Sequence, residues 1–366
     1  MSPKPQALKC GVAKKALWFQ LVDNGQMAGS RQHTIPRFLL RGFRSKTIGD
    51  NVFVWQYRRD GKAIESNIDK VAVNRDFYGP PGPGTLDDQI TQLEYQYSSS
   101  LEEFRSHRKG GVVADSGDIP TLVAHFSTRT RFLRQSMEDS LGMFLERLFD
   151  RLADRDALAA LLQGPIGRQQ LLELLVRNGV PTDQAHAALP MLLPMLPQAV
   201  AAAIPNLPEY IDFARKFARH ESRDVIRKAH LTALAEDPSL PKRAELYRAL
   251  SWHLFIVDVP LILGDTVCVF ESNVDRRFKP LDDADGTYRI YFPVSADRVL
   301  VGTPYRARPK FDPARLNRSI ARCSYEFFVS SRELRVESGL HSSLGKWSGI
   351  IPDNELQAIC DKVGLE

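Results

Sequence analysis

Residues 255–270 read FIVDVPLILGDTVCVF, residues 287–295 TYRIYFPVS and residues 298–302 RVLVG. Each run is rich in β-branched and aromatic residues and is bounded by turn formers, so each is a strand signal. They follow a long stretch, residues 157 to 255, in which the apolar spacing is helical and is broken at Gly164-Pro165, Gly179-Val180-Pro181 and Pro238 to Pro241. Strands that return after such a stretch decide the fold class. The expectation is α+β, predominantly helical, with a small N-terminal β element, a central helical insertion and a C-terminal mixed α+β part.

C-terminal to these strands, Leu316 to Ser331 has a helical period, and Asp353 to Val363 reads as a final helix. N-terminal to them, Ala187 to Leu207 is apolar enough to resemble a membrane span. Pro190, Pro194, Pro197 and Pro205 interrupt the backbone ladder in barely enough length. No transmembrane span is expected there; a kinked buried segment or a partner-binding surface is. A long helix starts near Pro120, with Leu122, Val123, Phe126, Leu133 and Met137 facing inward and His125 and Arg129 on the same stripe. Before it, Thr85-Leu86-Asp87-Asp88 marks a helix start, and Ile90, Leu93, Tyr97, Leu101 and Phe104 form its buried face with Glu94 at the border. NRDFYGPPGPG, residues 74–84, is a rigid connector. Its prolines remove the N–H groups that a phosphate-cradling loop needs. Val52 to Tyr57 and Ile64 to Val73 form a hairpin around the turn at Arg59 to Gly61. RQHTIPRFLLRGF, residues 31–43, opens the ordered part with a short helix after Pro36. The chain thus divides into an N-terminal extension (1–30), an N-terminal α+β part with two long helices (31–156), a helical insertion (157–253) and a C-terminal α+β part (254–366) packing on 31–156.

At 366 residues, two domains or one core with a large insertion is the starting point. With 43% apolar and 25% charged residues and a mean hydropathy of −0.27, wholesale disorder is excluded. The formal charge of +5 is built from 34 Arg and 15 Lys. An arginine surplus suits an anionic partner such as nucleic acid, and a GC-rich genome produces the same bias. Cys10, Cys268, Cys323 and Cys360 lie far apart with no C-x-x-C pair, so reduced thiols and a cytoplasmic location are expected. The first 25 residues lack the apolar core of a secretion signal. Lys14, Lys15 and the Leu17 to Val22 run read as a terminal segment packing on its own domain, or as a short docking helix.

No G-x-x-x-x-G-K-[ST], G-x-G-x-x-G or H-E-x-x-H occurs. The acidic turn at 282–286 fails as a calcium loop, because counting from Gly286 puts Leu281 at the first ligand position and Phe292 at the last. Ser343 to Lys346 matches S-x-x-K without the S-D-N or K-T-G that accompanies it in enzymes.

His33-Thr34-Ile35-Pro36 with RFLLRGF, then VWQY, VAVNRDFY ending at Tyr78, a helix bearing Glu94, the Arg129-Thr130-Arg131 segment and PLILGD ending at Asp265 resemble, in order and spacing, the bacterial family domain of unknown function 4238. The likeness spans residues 31 to 335. Where a Ser-Asp-Asn-Pro-like turn is expected, this chain has Gly264-Asp265-Thr266-Val267. The resemblance implies a mixed helical and α+β fold of bacterial type and no established activity.

The polar residues that helix spacing or a strand end places near a buried face are His33, Glu94, His125, Arg129 and Asp265. One expectation joins them in a single site: Glu94 and Asp265, with a histidine, hold Mg or Mn, Arg129 binds a scissile phosphate, and His33 and His125 complete the catalytic set. The protein is then a metal-dependent phosphodiester hydrolase, a nuclease-like toxin or defence effector. The competing expectation is structural: Arg129 pairs with Glu94 as a buried ion pair, His33 orients the N-terminal helix and Asp265 makes a turn. Two non-catalytic functions stand beside these. The helical insertion presents an apolar surface to a protein partner, or arginines 37, 41, 44, 58 and 59 bind nucleic acid near Trp55 and Tyr57.

Overall fold

The computed structural model describes residues 31–113, 116–203, 207–236, 241–282, 287–335, 339–351 and 353–362. The N-terminal extension, most of the acidic turn at 282–286 and Cys10 lie outside the described residues. The architecture is α+β with a helical majority. The chain forms two compact units, one of residues up to Ser136 together with Ala229–Ile350, the other of Met137–Lys228 together with Ile351–Glu366. The helical unit therefore begins and ends earlier than residues 157 and 253, and it takes in the C-terminal helix.

The first unit is built on two antiparallel sheets. The larger has the order β10 (Phe278–Lys279), β9 (Val269–Ser272), β11 (Thr287–Ser295), β12 (Arg298–Thr303), β7 (Ser251–Ile256), β6 (Gly111–Val112). The runs at 287–295 and 298–302 pair as a tight hairpin, Tyr291 opposite Val301 and Phe292 opposite Leu300. Pro293 lies opposite Val299, next to a register shift that falls between it and Ser295. Alternation gives the sheet two faces. Trp252, Leu254, Ile290, Phe292 and Leu300 are fully buried on one of them, where Phe292 meets Phe126 at 6.0 Å. His253, Phe255, Glu271, Arg289 and Tyr291 lie on the other.

The smaller sheet centres on β3 (Asn51–Arg58), with β4 (Ala63–Asn67) along one edge and β2 (Lys46–Ile48) and β13 (Phe327–Ser330) sharing the other. β8 (Ile262–Gly264) pairs with β13. The expected hairpin partner of 64–73 is thus cut short. Asn67 accepts from Asp69 N–H, a single 3-10 turn follows, and β5 (Val73–Arg75) leaves to pair with β1 (Arg31–His33). The helical period expected over 316–331 likewise covers only α11 (Pro313–Cys323), and residues 327–330 are strand β13. Asn317 of α11 fixes that layer, accepting from Ile262 N–H at 3.0 Å and donating to Pro260 O at 2.9 Å.

Over the apolar face of the large sheet lie α1 (Arg37–Leu40), α2 (Leu86–Ser106), α3 (Ile119–Thr128) and α10 (Pro241–Arg248). The helix expected from Pro120 onward is two helices, since Arg129 and Thr130 leave the helical path before α4 (Arg131–Ala153). Arg105, near the end of α2, locks this layer. It donates to Val294 O at 2.8 Å, Phe38 O at 2.9 Å and Leu39 O at 3.1 Å, so three backbone acceptors satisfy a largely buried fork whose charge faces Glu102 at 3.5 Å.

The helical unit contains the residues of α4 from Met137, then α5 (Arg155–Gln163), α6 (Pro165–Arg177), α7 (Thr182–Leu192), α8 (Leu196–Ala203), α9 (Leu207–Glu236) as far as Lys228, and α12 (Asp353–Lys362). Arg215 of α9 bridges Glu146 at 3.2 Å and Asp150 at 2.7 Å on α4, and Arg219 also reaches Glu146. In the apolar segment, as far as residue 203, a 3-10 turn at Leu193–Met195 joins α7 to α8. No described helix is long and apolar enough to cross a membrane.

Gly42 tests the layer packing. A Cβ there sits 2.5 Å from Val294 O and 2.6 Å from Arg105 Nη2, with the backbone unable to yield. Gly42→Ala is expected to lower unfolding stability by about 1–3 kcal/mol with an unchanged denaturant slope; an unchanged midpoint contradicts this packing.

Candidate functional site

Four of the five residues singled out in the sequence converge on one buried side chain. Arg129 ends α3 with φ −82° and ψ 1°, which turns its side chain inward, where it is fully buried. It forms an ion pair with Glu94, donates through Nε to Tyr78 Oη at 3.1 Å and through Nη2 to His33 O at 2.7 Å, and its Nη1 lies 3.1 Å from His125 Nε2. A guanidinium only donates, so His125 Nε2 is the acceptor and carries no proton. Tyr78 in turn donates to Arg129 O at 3.2 Å, and Gln32 accepts from Tyr78 N–H at 2.7 Å. Burial alone would lower the Arg129 pKa, but Glu94 and Tyr78 raise it.

Burial sets the other protonation states. The Glu94 carboxyl is pushed up by burial against the pull of Arg129, and Asp87, in the first turn of α2, is also raised by burial, with Gln32 opposing. His33 is lowered to about 4, by burial first and by Arg37 next, with Asp69 and the backbone of Val71 opposing. His230 is lowered to about 4 in the same way, its ring held between Arg134 Nε at 3.1 Å and Thr128 O at 2.8 Å.

Asp265 stands in a different environment. Its Oδ1 accepts from Tyr325 N–H at 2.8 Å, and its Oδ2 accepts from Glu326 N–H at 2.6 Å and Phe327 N–H at 3.2 Å. Burial pushes its pKa up to about 7 while these three donors pull it down. Both oxygens are therefore spent on shaping the turn into β13, and neighbouring Val267 takes a left-handed φ of 63°. The expected metal pair of Glu94 and Asp265 does not fit this arrangement: one carboxylate is engaged by a buried arginine and the other by backbone donors. Among the described residues, no group of three or more His, Cys, Asp or Glu side chains is placed to hold a metal ion. Arg129, expected to bind a scissile phosphate, is enclosed by its own acceptors.

The expected nucleic-acid surface at Trp55 and Tyr57 is also altered. Tyr57 is buried and stacked on Phe328 at 5.0 Å, Arg37 pairs with Asp69, and Arg58 with Asp60.

The second face of the large sheet carries a set that the sequence reading passed over. Arg315 donates to Arg276 O at 3.4 Å, and the Arg276 guanidinium lies 3.2 Å from the Tyr288 ring centre. Tyr288 meets Tyr305 at 5.7 Å and accepts from Arg289, which also donates to Lys310 O at 3.3 Å. Phe311 joins Tyr291 at 6.2 Å to Phe255 at 4.7 Å, and Arg308 covers Phe255 at 4.5 Å. Arg289 also donates to Tyr291 Oη at 3.5 Å, so contacts run from Arg315 to Arg308. Arg276, Arg306, Arg308, Lys310 and Arg315 are exposed, as is Tyr305 at 54%. Beneath them Glu271 accepts from Tyr291 Oη at 3.0 Å, and His253 is fully buried with neither ring nitrogen in a hydrogen bond of good geometry. The available signal was the adjacency of aromatic and basic residues in Tyr288-Arg289 and in Tyr305-Arg306-Ala307-Arg308.

A family model described as Protein of unknown function (DUF4238) matches residues 31–331. The chain belongs to that family. Neither the curated proteins nor the solved structures give a match. The DUF4238 match runs from the first residue of β1 to one residue beyond β13, so both the Arg129 cluster and the cationic face fall inside it.

Two outcomes are expected for this DUF4238 chain. Removing one partner of the buried pair leaves an uncompensated group, so Arg129→Ala lowers stability by about 3–5 kcal/mol. The Glu94→Ala/Arg129→Ala double variant loses less than the sum of the singles; simple additivity in urea unfolding contradicts the pairing. His33 binds its proton less tightly folded than unfolded. Its contribution is therefore full above about pH 6.5 and is lost as pH falls toward 4. His33→Gln should flatten the thermal midpoint against pH over that window, and an unchanged slope contradicts a neutral buried imidazole.

Proposed function

We propose that the protein binds single-stranded nucleic acid on the cationic, aromatic face of its large sheet, without cleaving it. The observation that carries the reading is the run of contacts from Arg315 through Arg276, Tyr288, Arg289, Tyr291, Phe311 and Phe255 to Arg308, with Tyr305 against Tyr288. Arginine supplies charge to a phosphate backbone, and aromatic rings stack bases of any identity, so interleaving the two tracks a single strand without reading its sequence. The overall charge of +5 favours the same class of partner. A cytoplasmic setting belongs to this reading, supported by the free, buried thiols of Cys268, Cys323 and Cys360.

Phosphodiester hydrolysis with Mg or Mn at Glu94 and Asp265, and with His33, His125 and Arg129 as the catalytic set, draws less support, because Glu94, His125 and the His33 carbonyl are engaged with Arg129 and Asp265 with backbone amides. A protein partner for the helical unit is favoured by one observation. Tyr210, Phe213 and Phe217 form a stripe on α9 at 65%, 73% and 59% exposure, on a different side of the helix from Arg215.

Fluorescence anisotropy with labelled single-stranded DNA and RNA tests the reading. Affinity should fall steeply with salt, and Arg276→Gln with Arg306→Gln should reduce the logarithmic salt slope by about 0.7 for each phosphate that is no longer neutralised. Tyr305→Ala should weaken binding by about 1–3 kcal/mol. Salt-insensitive binding, or equal affinity in all variants, contradicts the proposal.

A further inference from the structure

The connection after β7 and the segment after β12 line an open groove of about 650 Å³ at the Arg308 end of the cationic face. That is the size of a small-ligand site rather than a packing defect. Its lining mixes polar and apolar surface, with buried Phe255 and half-buried Phe311 edge to face at 84° and Val259 at the rim, 43% exposed. Three charged residues line it: Arg308, Lys310 and Asp258, all exposed. Arg308 is held over the Phe255 ring, so its guanidinium is positioned before any ligand arrives, and the Lys310 backbone is tied down by Arg289 through its carbonyl.

We propose that this groove binds a nucleoside 5′-phosphate, its base against the Phe255 and Phe311 wall and its phosphate on Arg308 and Lys310. An aromatic wall alone would take any flat apolar molecule, and two cations alone any anion. The combination, with one carboxylate to accept from an amino or hydroxyl group, selects a ligand that is flat at one end and doubly anionic at the other. The nucleotide comes from one of two sources, a free mononucleotide or the 5′ end of a strand; the second source rests on the single-strand reading above.

Isothermal titration of the full chain with AMP, GMP, CMP and UMP, and separately with adenosine and inorganic phosphate, tests the inference. At least one mononucleotide should bind at least tenfold more tightly than adenosine or phosphate. Arg308→Gln should weaken that binding at least tenfold, and Val259→Trp, which fills the rim from an exposed position, should abolish it. Anisotropy with otherwise identical 5′-phosphorylated and 5′-hydroxyl oligonucleotides then separates the sources: a preference for the phosphorylated strand assigns the groove to strand ends, and equal affinity assigns it to free nucleotide. No saturable mononucleotide binding, or binding unchanged in both variants, overturns the proposal. If oligonucleotides still bind in an Arg306-dependent manner in that case, the single-strand reading survives alone; if they do not bind, both fall.

Discussion

A guanidinium with no access to water must find its acceptors inside the protein, because arginine cannot shed its proton to escape the desolvation penalty. Arg129 is that group here, and much of the first unit is arranged to satisfy it. Glu94 comes from α2, Tyr78 from the proline-rich connector, the His33 carbonyl from β1, and His125 from the preceding turn of its own helix. Segments from residue 33 to residue 129 are thereby drawn to one point. The break between α3 and α4 follows from the same demand, since a continuous helix would keep residue 129 on the helical path.

What that node holds in place is a helical layer over the apolar face of the large sheet. Arg105 repeats the device at the other end of α2, clasping three backbone carbonyls. With one face of the sheet buried in this way, strand alternation places Phe255, Glu271, Arg289 and Tyr291 on the other, where the segment 304–311 crosses them. The two faces divide the work physically. The first closes its charges on one another and excludes water; the second leaves its cations outward and packs rings between them.

The strand runs at 287–295 and 298–302, the Thr85 cap, the short helix after Pro36 and the final helix were legible because periodicity and capping are local properties; the run at 255–270 is instead the end of β7, then β8 and the start of β9, divided between the two sheets. The elements that departed from local reading did so through distant partners. Residues 327–330 became a strand because Asp265, some sixty residues earlier, takes the N–H groups of 325–327. The second half of the 64–73 run left its hairpin to pair with residues 31–33. At the candidate site, Glu94, His125, Arg129 and His33 were legible as a group because each borders a buried face. Their roles were not, since spacing cannot tell an arginine that awaits a phosphate from one already enclosed. Asp265 was expected beside Glu94 because both are acids near buried faces, yet its neighbours are backbone amides. The cationic face escaped notice because its members, scattered from residue 255 to 315, are joined only by strand pairing and the 304–311 crossing.

The central claim is that the Arg129 cluster is a structural node and that ligand chemistry lies on the other face of the sheet. Amide hydrogen exchange of the full chain with and without a single-stranded oligonucleotide tests it most directly. The expected result is added protection over residues 276–279, 288–291 and 304–311, with residues 31–37 and 90–97 unchanged. Protection centred on His33, Glu94 and His125, with the 276–311 segments unaffected, would contradict the account.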